Sequence, residues 1–288
     1  MTRAVPAPTT SAAQRAEVTV AGIPGVAVVY ERRGSGEPLL LLHGIGHHRQ
    51  AWEPVIDRLA VERDVIWVDL PGFGESPAAP EGVPYVIDSY AEGLAAFCEQ
   101  IGAPRPHVAG NSLGGLVALR MGQLGAARSV TALSPAGFWN RAERAWGFTV
   151  LALMRRGALV LPPALVARLS RSAFGRFLLT STIYHRPGLR APEAVVAETA
   201  ALRNGPAFEQ VLAAGKADGL WHGDIPDVPV TVGWGSRDRI LLRRQALRLK
   251  RQIPGARLVR LPGCGHVPMN DDPAAVARVI LSGSSVSS

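Results

Sequence analysis

The sequence predicts an α/β fold, a mostly parallel central sheet flanked by helices and interrupted by a helical insertion. Three observations carry this. Short apolar runs such as "PLLLLHG" and "DVIWVDLPG" alternate with helical patterns, as strands buried on both faces of a parallel sheet do. The alternation stops over residues 137–223, which hold helical and loop-like patterns and no convincing buried strand, and then resumes. The stretch "GNSLGG" stands between an apolar run and a helical pattern, the setting of a sharp strand-to-helix turn.

In order, residues 1–17 read as a loose Pro/Thr/Ala leader without the apolar core of a secretory signal. "VAVVYERRG" and "PLLLLHG" are strands separated by the turn signal "SGE". A helix is expected near Ala51 to Ala60, a buried strand in "DVIWVDLPG", and a helix in "DSYAEGLAAFCEQIG" between Asp88 or Ser89 and Gly102. "PHVAGN", the helix after Ser112 and "SVTALSP" complete the first part of the core, residues 18–136. After the insertion, "VPVTVGWG", "LLRRQALRLKRQI", "ARLVRLPG" and "DPAAVARVILSG" give strand, helix, strand, helix over 224–282. Residues 283–288 read as a flexible tail.

A chain of 288 residues is long enough to bury a sizeable core, and its 47% hydrophobic and 19% charged content is that of a globular protein. The net charge of +8 comes mostly from arginine, Lys216 and Lys250 being the two lysines. These charges are spread along the chain rather than gathered in one basic helix, which argues against nucleic acid as a partner. The longest apolar stretch, "AWGFTVLALM", is too short to span a bilayer. Cys98 and Cys264 stand far apart and read as reduced thiols, with no metal-ligand spacing around them. A cytoplasmic location is expected.

Ser112, in "GNSLG", is either the N-cap of the following helix or a nucleophile. Glycines two positions before and after it, Gly110 and Gly114, relieve the crowding of a strained turn that lifts the central side chain over the sheet edge. Serine at its free pKa is a poor nucleophile, so it needs a base and a carboxylate to orient that base. "LPGCGHVPMNDDP" places His266 in a Gly-rich loop after a strand. In "VGWGSRDRIL", Asp238 follows the preceding strand and otherwise reads as a helix cap, while Asp271 and Asp272 read as caps of the last helix.

These residues, with "LLLLHGIGHHRQAW", "VIWVDLPGFGES", "GSRDRI" and "GCGHVPMNDDP" in that order from about Val26 to Ile280, resemble the α/β-hydrolase superfamily in its capped branch of esterases, C–C bond hydrolases and perhydrolases. The resemblance implies a catalytic triad of Ser112, Asp238 and His266, and an oxyanion hole from the backbone N–H groups of Leu113 and Ile45. It implies no metal and no organic cofactor. The insertion becomes a cap, with ten arginines and Lys216 against Glu143, Glu193, Glu198, Glu209 and Asp218. His43, Gly44, Asn111, Trp139 and Val267 are expected near the substrate. His43 otherwise shapes its loop, and "DLPGFGES" is expected to be structural.

The resemblance also sorts the chemistry. Haloalkane dehalogenases and epoxide hydrolases carry an aspartate where Ser112 stands. C–C hydrolases often carry "GNS" at the turn but commonly a tryptophan after the histidine, where this chain has Val267 and Pro268. The leading expectation is hydrolysis of carboxylic esters of small or medium acyl groups through an acyl-enzyme. Alternatives are cleavage of a ketone ring-cleavage product of 2-hydroxy-6-oxo-dienoate type, perhydrolysis, or a ligand receptor without turnover. The partner is a small-molecule ester or ketone. The basic cap is expected to cover itself with solvated arginines, with contact to a membrane surface as the alternative and stable insertion excluded.

Overall fold

The computed structural model describes residues 12–218 and 220–285. Among them, eight strands form one sheet in the order β1-β2-β4-β3-β5-β6-β7-β8. The strands are β1 (Gln14–Val20), β2 (Ile23–Gly34), β3 (Glu37–Leu42), β4 (Arg63–Asp69), β5 (His107–Asn111), β6 (Ser129–Leu133), β7 (Val230–Gly235) and β8 (Arg257–Leu261). β1, β2 and β4 pair antiparallel, and every pairing from β4 to β8 is parallel. The core helices are α1 (Glu53–Leu59), α2 (Ile87–Gln100), α3 (Leu113–Gln123), α9 (Gln245–Gln252), α10 (Pro268–Asp271) and α11 (Pro273–Ser284).

The central strands are buried end to end in β5, β6 and β7, and over Leu39 to Leu42 in β3. Helices therefore cover both faces, and two apolar clusters result, one around Leu40, Leu42, Phe97 and Val117, the other around Leu39, Leu41, Trp52 and Ile280. The successive Leu side chains of β3 alternate between these clusters, as the pleat requires.

Two boundaries differ from the sequence expectation. The leader expected over 1–17 ends earlier, because Gln14 to Glu17 already belong to β1, whose inward residues Ala16, Val18 and Val20 alternate with exposed ones. The tail expected from 283 begins later, since Gly283 and Ser284 close α11 and Ser284 is buried. Residues 1–11 and 286–288 of those two segments lie outside the described residues. The "SGE" turn does not join neighbouring strands either, because β4 lies between β2 and β3.

Between β6 and β7 stand α4 (Arg141–Val160), α5 (Pro163–Ser170), α6 (Ala173–Thr180), α7 (Pro192–Asn204) and α8 (Phe208–Asp218). The start of α4 carries a capping box in which Asn140 accepts from the Glu143 amide while Glu143 accepts from the Asn140 amide. The same Glu143 carboxylate, 3% exposed, takes hydrogen bonds from Arg244 and Arg248, which ties the inserted helices to the α9 side of the core.

Registers decide which loops share one edge of the sheet. Leu42 pairs with Gly110, Asn111 with Leu133, Leu133 with Gly233, and Gly235 with Leu261. The carboxyl ends of β3, β5, β7 and β8 are thus aligned at one edge, and the loops that leave them carry Ile45, Ser112, Asp238 and His266.

Candidate active site

Ser112 joins β5 to α3 with φ 56° and ψ −114°, a left-handed backbone that costs a non-glycine residue roughly 1–3 kcal/mol. The surroundings impose it. The Ser112 amide donates to Leu133 O at 3.0 Å and its carbonyl accepts from Leu116 and Ala136 at 3.0 and 3.2 Å. A Cβ on Gly110 would sit 2.1 Å from Gly114 O, and one on Gly114 would sit 2.3 Å from Leu42 O, so only glycine lets helix and strand approach this closely. The Ser112 side chain makes no capping bond to α3. Of the two readings open in the sequence, the cap is therefore not the role its hydroxyl plays.

His266 Nδ1 lies 2.9 Å from Asp238 Oδ2. Asp238 does two jobs with its two oxygens, because Oδ1 accepts from the amides of Ile240 and Leu241, both at 2.9 Å. Asp238 is not the cap of the next helix, since α9 begins at Gln245 behind Arg244; the two amides of the bend stop the carboxylate from rotating away while its other oxygen faces His266. His266 is itself fixed through its backbone, its amide donating to Ile183 O at 2.8 Å. All three side chains are buried, with Ser112 8%, Asp238 7% and His266 5% exposed.

A cavity of about 530 Å³ opens beside Ser112, walled by Leu113, Ile45, Trp139, Phe148 and Leu212. Leu113 is the first residue of α3, so its N–H belongs to the opening turn that has no intrahelical acceptor. Ile45, in the loop after β3, lines the same cavity. Trp139 stacks edge-on against Phe148 at 5.4 Å, and its buried indole N–H has no hydrogen-bond partner among the described residues. Gly44 is close packed, as a Cβ there would lie 3.2 Å from Ser112 Cβ.

Three residues expected near the substrate are engaged elsewhere. Asn111, 1% exposed, donates its amide to Leu133 O at 3.1 Å and His266 O at 2.9 Å, so it clamps the histidine loop to the Ser112 turn. His43 is fully buried; its Nε2 accepts from the Leu70 amide at 3.0 Å, which leaves Nδ1 to donate to Gly44 O at 2.7 Å. Burial pushes the His43 imidazole down to about 4 in spite of Asp69 4.0 Å away. It shapes the loop that presents Ile45. Val267 is packed in the apolar cluster with Met269 and Tyr184.

Several buried polar groups escaped the sequence reading, among them Asp271, which caps no helix but accepts from the His185, Arg186 and Gly265 amides, and two networks of charged side chains. Arg49 reaches Asp69 at 2.5 Å, Glu31 at 2.8 Å and Glu75 at 3.1 Å, while the Arg49 and Glu75 amides also bond to Asp69. This network holds "DLPGFGES" as the structural loop expected; a Cβ on Gly74 would collide with the Asp69 carboxyl at 2.3 Å. The other network joins cap to core: Glu198 of α7 accepts from Tyr184 Oη at 2.9 Å and Arg190 Nε at 2.6 Å, and His47 Nε2 lies 3.9 Å from it. Neither network leaves a local sequence signal, because the partners sit on different elements of the chain. Among the described residues, no group of three His, Cys, Asp or Glu is placed to hold a metal ion.

The chain is similar to known proteins over most of its length. An uncharacterized protein of Mycobacterium tuberculosis is 30% identical over 270 residues, covering 86% of this chain and 75% of that one. The epoxide hydrolase EphH of the same organism is 35% identical over 195 residues, 64% of this chain and 88% of its own. Among solved structures, a bacterial membrane phospholipase A superposes with a TM-score of 0.72 at 26% identity, covering 96% of this chain and 87% of that one. Residues 39–279 match the model of the alpha/beta hydrolase family, and the chain belongs to that family.

Proposed function

We propose that this protein is a serine hydrolase that cleaves carboxylic esters with small or medium apolar acyl groups. The observation that carries the reading is the conjunction of a strained Ser112 beside an apolar cavity with a His266 imidazole whose Nδ1 is held 2.9 Å from Asp238.

His266 takes the Ser112 proton on Nε2 while Asp238 stabilises the imidazolium through Nδ1. Ser112 Oγ attacks the ester carbonyl, and the N–H groups of Leu113 and Ile45 stabilise the developing alkoxide. The proton passes from His266 to the leaving alcohol, and an acyl-enzyme remains. A water activated by the same imidazole then releases the acid and restores the serine. The apolar wall of Trp139, Phe148 and Leu212 supports an apolar acyl chain as the bound group. Serine rather than aspartate at the turn separates this reading from epoxide opening.

The test is steady-state kinetics on a series of p-nitrophenyl esters of increasing acyl length, with wild type and Ser112→Ala. Turnover that peaks at short to medium chains and disappears in the variant is expected. Turnover retained by Ser112→Ala refutes the assignment. Absence of ester turnover together with cleavage of a dienoate ketone moves the reading to C–C hydrolysis.

A further inference from the structure

The cap carries a surface that chemistry in the cavity does not use. On α6, Phe174, Phe177 and Leu178 follow the i, i+3, i+4 spacing of a single helix face, and they are 69%, 49% and 57% exposed. The opposite face is fixed inward, since a Cβ on Gly175 would meet the Leu169 carbonyl of α5 at 2.0 Å and Arg176 donates to Ser170 O at 2.8 Å. Beside this row, Arg176 also reaches Gly188 O at 3.3 Å, which sets the 63% exposed Leu189 next to α6. α4 and α5 meet at 106°, and Val160 at that corner is 71% exposed. Large apolar side chains grouped on consecutive elements mark an interaction surface.

The charge of the same stretch is one-sided. From Arg144 to Pro192 the chain has eight arginines and no aspartate or glutamate. Arg156, Arg168 and Arg171 are exposed and, among the described residues, have no ion-pair partner. A second copy of this chain is a poor occupant, because a two-fold contact through this face would bring Arg156, Arg168 and Arg171, unpaired among the described residues, toward their own copies.

We propose that this face of the cap docks peripherally on the anionic surface of a lipid bilayer. Phe174, Phe177, Leu178 and Leu189 enter the boundary between headgroups and acyl chains, and the arginines meet lipid phosphates. No single helix among the described residues is long and apolar enough to cross a membrane, and the proposed contact is with the interface plane.

The experiment is co-sedimentation of the full chain with vesicles of phosphatidylcholine alone and of phosphatidylcholine with phosphatidylglycerol. It compares wild type, Arg168→Glu/Arg171→Glu and Phe174→Ser/Phe177→Ser, each first shown to melt as wild type does. Wild type is expected on the anionic vesicles and not on the neutral ones. The charge reversal lowers the partition about 30-fold or more, since each basic residue near such a surface contributes about five-fold. The phenylalanine pair lowers it about ten-fold or more. The proposal is overturned if wild type ignores anionic vesicles or if the charge reversal leaves binding unchanged. It is equally overturned if binding is insensitive to the phenylalanine pair, the outcome that marks a charge-only partner such as an acidic protein.

Discussion

Replacing Asn111 tests whether the clamp between the nucleophile turn and the histidine loop matters for chemistry or only for folding. The Asn111 amide gives two buried hydrogen bonds, to His266 O and Leu133 O. Leu133 O keeps the Ser112 amide as a second donor at 3.0 Å, so in Asn111→Ala the His266 carbonyl bears most of the loss. One unsatisfied buried acceptor costs about 1–3 kcal/mol of stability. Asn111→Asp loses the same donors and places a carboxylate against two carbonyl oxygens at a position 1% exposed, so it is more destabilising still. That excess grows with pH above about 4, where an unfolded aspartate ionises and the buried one resists. Urea unfolding of both variants from pH 4 to 8 measures it. The clamp touches no substrate, so ester hydrolysis by Asn111→Ala falls in kcat, about ten-fold or more for a misplaced base, with KM little changed. A raised KM at unchanged kcat refutes the positioning role and returns Asn111 to the substrate side. Equal stability of the Ala and Asp variants at pH 8 refutes the hydrogen-bond account.

Other consequences follow from the same geometry. Asp238→Asn keeps an oxygen for the Ile240 and Leu241 amides but loses the charge behind His266, so kcat drops about 10³–10⁴-fold while the thermal midpoint moves little. His43 is held near 4 when folded against 6.5 when free, so the unfolded chain gains a proton that the folded one refuses between those values. Its share of stability is complete above pH 6.5 and is lost on acidification to pH 4, about 3 kcal/mol in all. His47, pushed down by burial, acts in the same direction; Glu198, pushed up by burial, acts in the opposite one. The readout is therefore the flatter acid limb of His43→Gln relative to wild type. Glu198→Ala leaves Arg190 buried and unpaired and costs about 3–5 kcal/mol in denaturant unfolding.

The sequence carried the parts of the fold that are locally encoded. Runs such as "PLLLLHG" can only be buried on both faces, and the glycines of "GNSLGG" mark a close approach that the structure places between α3, β5 and β3. Where information is non-local, the sequence was silent or misleading. β1 escaped notice because three inward residues, Ala16, Val18 and Val20, alternate within a short segment behind a Pro/Thr leader. The placement of β4 between β2 and β3 depends on a partner that a turn signal cannot name. Asn111 looked like a pocket residue through its neighbour Ser112, yet β-strand alternation turns its side chain to the opposite face, toward Leu133 and His266. The Arg49–Asp69 and Glu198–Arg190–Tyr184 groups are invisible to periodicity for the same reason.

The most direct test of the central claim is labelling of the intact protein with a fluorophosphonate, followed by peptide mapping, for wild type, Ser112→Ala and His266→Ala. An activated serine predicts one adduct, on Ser112, absent in the serine variant and strongly slowed in the histidine variant. Labelling that persists without Ser112, or an adduct rate indifferent to His266, contradicts the account.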